Sequence, residues 1–195
     1  MRAAIALLTL LTLGGCNMVG SDTPLFSGVD TQGALSPRPG LWVASDPKCR
    51  VKESRPVQLW PKCAVWAYVR SGEVLMYAKD QKPPAWSRTV FLVAAGDPSV
   101  VQFAFPPDDQ GATSFVYEGV TPRLQDPDGR VLQYRHWTAN CHPPEWTSPN
   151  GPERLPGVDK DCKAHDPEAV RASVKVSEKW ATQDQTWRWV RDALP

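Results

Sequence analysis

The sequence predicts a mainly β (α+β) fold: an antiparallel sheet or small barrel-like domain with one C-terminal helix, braced by two disulfides. Three observations carry this expectation. Short stretches rich in Val, Phe, Tyr, Trp and Thr follow one another between turn residues. No helical pattern separates them, so βαβ crossovers and a parallel sheet are disfavoured. The body of the chain also holds an even set of cysteines, Cys49, Cys63, Cys141 and Cys162.

The folded part is expected to begin at Gly40-Leu41-Trp42. Strands are then expected over Cys63 to Arg70, Glu73 to Lys79, Arg88 to Ala95, Val100 to Phe105, Thr113 to Val120 and Arg130 to Cys141. Parts of them alternate apolar with polar residues, as in Val101-Gln102-Phe103-Ala104-Phe105 and Val131-Leu132-Gln133-Tyr134-Arg135. Turns are marked by Ser71-Gly72, Gly96-Asp97-Pro98, Pro106-Pro107-Asp108-Asp109 and Asp126-Pro127-Asp128-Gly129.

One helix is signalled from Pro167 to about Trp180. Asp166 can cap its first amides, Pro167 suits its first turn, and Glu168 sits well for the dipole. Ala169, Ala172, Val176 and Trp180 fall at helical spacing and are expected to form its buried stripe. After it, Thr186-Trp187-Arg188-Trp189-Val190-Arg191 alternates as a strand would. Trp187, Val190 and Leu194 also fit a helix; the β-branched and aromatic content favours the strand.

Four cysteines allow three pairings. Loop closure favours the short loops, Cys49–Cys63 and Cys141–Cys162. A metal site built on these thiols with His142 or His165 is the alternative. Zinc ligands usually include a close Cys-x-x-Cys pair, and the chain has none. No metal and no cofactor is therefore expected.

Gly72-x-Val74-Leu75-x-Tyr77 recurs as Gly129-x-Val131-Leu132-x-Tyr134, and Pro83-Pro84-x-Trp86 recurs as Pro143-Pro144-x-Trp146. Either a duplicated hairpin or the ordinary reuse of turn and strand residues accounts for this, with the second favoured.

The N-terminus carries a different kind of signal. Met1 and Arg2 give a short positive start, and Ala3 to Leu13 is apolar apart from Thr9 and Thr12. The run is too short for a permanent membrane span and has the form of a secretory signal. It ends Leu13-Gly14-Gly15-Cys16, which resembles the lipobox of bacterial lipoprotein precursors. That resemblance implies a signal peptide over 1–15 and a diacylglyceryl group on the Cys16 sulfur. The partner so implied is a lipid bilayer. Asn17, where Asp would imply inner-membrane retention, suggests the outer membrane facing the periplasm. An exported, oxidising location suits the disulfides. Residues 17 to 40, rich in Gly, Ser, Thr, Pro and Asp, are expected to follow Cys16 as a flexible tether (16–40), with a single domain over 41–195. The alternative for the tether is that Leu25-Phe26 docks on the domain as a short strand.

Loss of residues 1–15 removes one arginine from 22 basic residues, leaving 21 against 21 acidic ones. The two signs are interleaved, so neither a nucleic-acid surface nor an electrostatic membrane patch is expected. Motifs for a serine nucleophile, a zinc protease or a phosphate loop are missing. His142 and His165 are placed in loops, and His136 in a strand as a partly buried, hydrogen-bonded residue rather than a base. Glu118 and Asp161 show no identifiable partner, and Asp108-Asp109 reads as a solvated turn.

Nine tryptophans stand out. Trp66, Trp137 and Trp180 suit the core by pattern. Trp86 and Trp146, each beside a Pro-Pro pair, are the candidate binding surface for an envelope protein or glycan, although packing on their own prolines is the commoner role. The expected function is a lipid-anchored binding or assembly module. The alternative is a tethered hydrolase acting through two carboxylates, which a motif search would not reveal.

Overall fold

The computed structural model describes residues 17–45, 49–78, 85–105, 114–142, 155–181 and 185–192. Its strands are β1 (Gly20–Ser21), β2 (Gly40–Ser45), β3 (Ala64–Arg70), β4 (Glu73–Ala78), β5 (Ala85–Ala94), β6 (Ser99–Phe105), β7 (Ser114–Gln125), β8 (Val131–Thr138) and β9 (Gln185–Arg191). The helix α1 spans Pro167–Ser177 and ends in a 3-10 turn, Glu178–Trp180. From β2 to β9 each strand pairs antiparallel with the next, and β9 returns to β2. The result is a closed eight-stranded antiparallel barrel. β1 pairs with the part of β7 that β8 leaves uncovered. Closure removes the exposed sheet edges that would otherwise invite association.

The expected strands match this wall to within a few residues, with β7 running five residues beyond Val120, as do the turns at 71–72, 96–98 and 126–129; the turn expected at 106–109 lies outside the described residues. Gly72 and Gly129, at φ 70° and 78°, close the β3–β4 and β7–β8 hairpins. These positive φ values suit glycine, because a Cβ would crowd the backbone there. The Gly-x-Val-Leu-x-Tyr pair thus marks two hairpin turns of one meander. The second limb of the repeat, Pro83-Pro84 and Pro143 to Trp146, lies outside the described residues. Both disulfides form as expected, with Cα–Cα separations of 5.9 Å for Cys49–Cys63 and 5.3 Å for Cys141–Cys162.

Strand alternation gives the wall two faces. The outer face of β5 to β8 packs Ala94, Val100, Tyr117 and Trp137 against Val170 and Val174 of α1. The Trp137 indole N–H donates to the Val174 carbonyl oxygen at 2.8 Å. Gly119 is needed beneath it, since a Cβ there would run into the Trp137 ring. On the other side, the disulfide-closed loop 49–63 lays Val57 and Trp60 over Leu41, Val43 and Trp66.

Three expectations are corrected. Residues 17–40 are not a free tether: Val19 and Phe26 are buried with the α1 cluster, and both backbone amides of Leu25 and Phe26 donate to the Gln102 side chain. Two well-placed apolar side chains and one buried amide outweigh the polar composition of the segment. The buried stripe of α1 is Ala169, Val170, Ser173, Val174 and Ser177, while Ala172 is exposed and Val176 and Trp180 are only part-buried. Ser177 earns its buried place by accepting the Asn140 backbone N–H, which an apolar count overlooks. Third, the strand expected from Arg88 begins earlier, at Ala85, so the backbone of Trp86 lies in β5, paired with Tyr77 of β4, and not in a loop.

The segment 31–39 crosses one end of the barrel as a strap. Ser36 accepts from the Val131 N–H at 2.8 Å, and Arg38 donates its N–H to the Val131 carbonyl at 3.0 Å. The Trp42 indole N–H reaches the Arg38 carbonyl, and the Arg38 guanidinium lies 4.3 Å over the Trp189 ring. Arg38 also pairs with Asp126 and Asp192, tying strap, β7–β8 hairpin and β9 together. At the opposite end, here the mouth, the longer connections leave and re-enter the wall.

Candidate functional site: the barrel lumen

The register fixes which side chains point inward. Val69 pairs with Val74, Phe91 with Phe103, Val93 with Val101, Val101 with Glu118, and Val120 with His136. Trp42 pairs with Trp189, and Tyr134 with Trp187. These pairs stack aromatic and β-branched residues across the lumen. The Trp42 and Tyr134 rings lie 5.2 Å apart, and Phe91 and Phe103 6.3 Å apart. Such offsets are the favourable ones for aromatic packing.

This packing leaves a small inner space, about 40 Å³ for the centre of a water, lined by Leu35, Val74, Val101, Phe103, Glu118 and Tyr134 among others. That is room for about three waters. It shares Leu35, Pro37, Val69, Phe91 and Val93 with a larger cleft of about 390 Å³ between the strap and the β3–β4 hairpin. Arg70, Ser71 and Gly72 form the outer rim of that cleft. The inner space and the cleft beneath the strap therefore adjoin across shared apolar walls, and at the cleft's rim Arg70 is paired with Glu73 at 2.5 Å.

One polar chain crosses this apolar interior. His136 Nδ1 lies 2.8 Å from Glu118 Oε2, and the Trp187 indole N–H lies 3.1 Å from His136 Nε2. An indole N–H only donates, so Nε2 accepts and the Nδ1–H is the one that donates to Glu118. The sequence missed this pair because the two residues are remote along the chain. Its signal was present in principle: both residues sit at inward positions on adjacent antiparallel strands. Glu118, read as having no partner, has His136. The reading of His136 as a part-buried, hydrogen-bonded strand residue holds. Tyr134 is pushed well above the usual tyrosine range, first by burial and then by the nearby negative charge of Glu118.

This arrangement is chemically quiet. The nitrogen that would act as a base already accepts from Trp187. Among the described residues lining the inner space Glu118 is the one carboxylate, so no carboxylate pair converges among them. Among the described residues no three His, Cys, Asp or Glu side chains gather closely enough to hold a metal ion. His165 lies near Asp159, on the surface. Asp159 accepts the backbone N–H groups of Lys163 and Asp161, which holds its carboxyl below the usual range.

Of the other residues singled out by the sequence, Cys16, Asp108-Asp109 and Trp146 lie outside the described residues. Trp86 stands at the mouth end of β5. Among the described residues no helix is long and apolar enough to cross a membrane. No protein-family model matches the chain, and neither does any curated protein sequence or solved structure.

Proposed function

We propose that this protein is a binding module of a bacterial envelope, anchored by acylated Cys16, that takes the apolar part of a small ligand into its barrel lumen. The observation that carries the reading is an incompletely filled apolar lumen that shares the walls of the strap cleft. Eight-stranded barrels are just wide enough to be filled by side chains or to hold one small ligand. Here the filling is incomplete, and the vacant part adjoins the strap cleft. A ligand with a slender apolar portion and a polar head suits the site, the apolar part beside Phe91 and Val101 and the head at the cleft rim, where Arg70 is paired with Glu73. The Glu118–His136–Trp187 chain fixes the lumen's shape; it does not supply a nucleophile or a base.

Localisation follows from the N-terminal resemblance. Its lipobox form supports a lipid anchor, and Asn17 supports the outer membrane facing the periplasm. Trp86, at the mouth end of β5, and Trp146 remain the proposed contact surface for an envelope protein or glycan presented at the membrane surface. The hydrolase alternative is disfavoured by the occupied imidazole and the single lumen carboxylate.

Metabolic labelling with a fatty acid tests the anchor. The wild-type protein should incorporate label at Cys16, and Cys16→Ala should abolish it and leave unprocessed precursor. Equal label in both would defeat the anchor.

A further inference from the structure

The starting observation is that almost no tether remains between the proposed anchor and the barrel. Asn17 accepts the Cys141 N–H on its backbone oxygen at 2.9 Å, and its side-chain oxygen accepts the His142 N–H at 3.2 Å. Val19 then donates to Ala139 at 2.8 Å. Residues 139–142 immediately follow the end of β8 at Thr138, which is the mouth end of the barrel. One peptide unit, about 3.8 Å between Cα atoms, separates Asn17 from Cys16.

The mouth also has the surface a bilayer would cover. Val65, Met76 and Phe105 lie on the lumen-facing parity of β3, β4 and β6, close to the strand ends at the mouth, yet they are 45%, 40% and 44% exposed. Inward residues deeper in the same strands, Ala67, Val69 and Val101, are buried. An apolar rim left open to water is unfavourable in isolation and is stabilised by contact with an apolar partner. The strap end differs: it is crossed by residues 31–39 and carries the cleft.

We infer that the barrel stands with its mouth end against the bilayer that holds Cys16, its apolar rim in contact with lipid, and its strap cleft turned away toward the aqueous space. The inference rests on the reading of Cys16 as acylated. The short link and the fixed position of Asn17 leave the domain little freedom to turn the strap end to the membrane. A ligand then reaches the lumen from the aqueous side, beneath the strap.

The test uses the processed, lipidated protein in vesicles of phosphatidylethanolamine and phosphatidylglycerol. An environment-sensitive fluorophore is placed by Val65→Cys, Met76→Cys or Phe105→Cys at the rim. Controls carry it by Val29→Cys or Leu124→Cys, exposed positions at the strap end (82% and 52%). Rim labels should shift to the blue and lose intensity when the vesicles contain nitroxide-labelled lipid, and strap-end labels should do neither. Acylation is read on the same preparations from the mass of the Cys16 peptide. If Cys16 carries no lipid, the anchor reading falls and the orientation with it. If Cys16 is acylated but the strap-end labels are quenched, or none is, the orientation is overturned while the anchor stands.

Discussion

The two ends of this barrel are built differently. At the strap end the strands are joined by tight turns, Ser71-Gly72, residues 95–98 and Asp126 to Arg130, and the opening is crossed by a chain segment hydrogen-bonded to Val131 on both sides. Trp42 and Arg38 lock that segment down through an indole N–H and a guanidinium stacked on Trp189. At the mouth the connections are longer, and inward apolar residues stay exposed. Lumen-facing apolar side chains are covered at the strap end and part-exposed at the mouth. The contrast teaches that sheet closure alone does not fill a barrel: the strap completes the core at one end, and among the described residues no segment does so at the other.

If that contrast is right, substitutions should cost stability in proportion to their distance from the mouth. Trp42→Ala should have the largest effect. It removes a fully buried ring from the lumen and the strap's indole hydrogen bond together. A loss of about 3–5 kcal/mol is expected by urea unfolding. A loss below about 1 kcal/mol would mean that the strap end is not the stable one.

Tyr134, midway along the lumen, tests burial by pH. Its hydroxyl is held neutral in the folded protein, above the unfolded value of 10.0, by burial and by Glu118. Above that value the unfolded chain binds fewer protons than the native one, so stability must fall as pH rises. The contribution is complete below pH 10.0 and is lost on the alkaline side. Thermal melts across the alkaline range should therefore fall less steeply in Tyr134→Phe than in wild type. Parallel curves would place Tyr134 in a solvated site.

The smallest effect belongs to the mouth. Met76→Ser, in the soluble state without lipid, should change unfolding free energy by no more than about 0.5 kcal/mol, since the side chain is already part-exposed. A cost as large as a buried Met→Ala would show that the rim is core and not contact surface.

Much of the wall was legible from local patterns. The strands β3 to β9, their turns and α1 are each specified by residues adjacent in sequence, such as Asp166-Pro167 at the helix start and Gly129 at a hairpin. Both disulfides follow from short loop closure. What was not legible is non-local. Closure depends on β9 finding both β2 and β8, which no short window encodes. The Glu118–His136 pair depends on the register of β7 against β8, which shifts at Pro122 and Leu124. The segment 17–40 looked unstructured because its few apolar residues are scattered. Val19, Phe26 and Leu35 nevertheless each find a preformed site on the barrel.

The central claim is that the lumen is a ligand site entered beneath the strap. Titration of the purified protein with a homologous series of straight-chain amphiphiles, followed by quenching of tryptophan fluorescence, tests it most directly. Trp42, Trp187 and Trp189 line or adjoin the lumen and will report occupancy. Binding should saturate at one site and tighten about fourfold per added methylene until the space is full. Val101→Phe, which fills the inner space, should abolish it while leaving the fold intact. No saturable binding in wild type, or equal binding in Val101→Phe, would contradict the account.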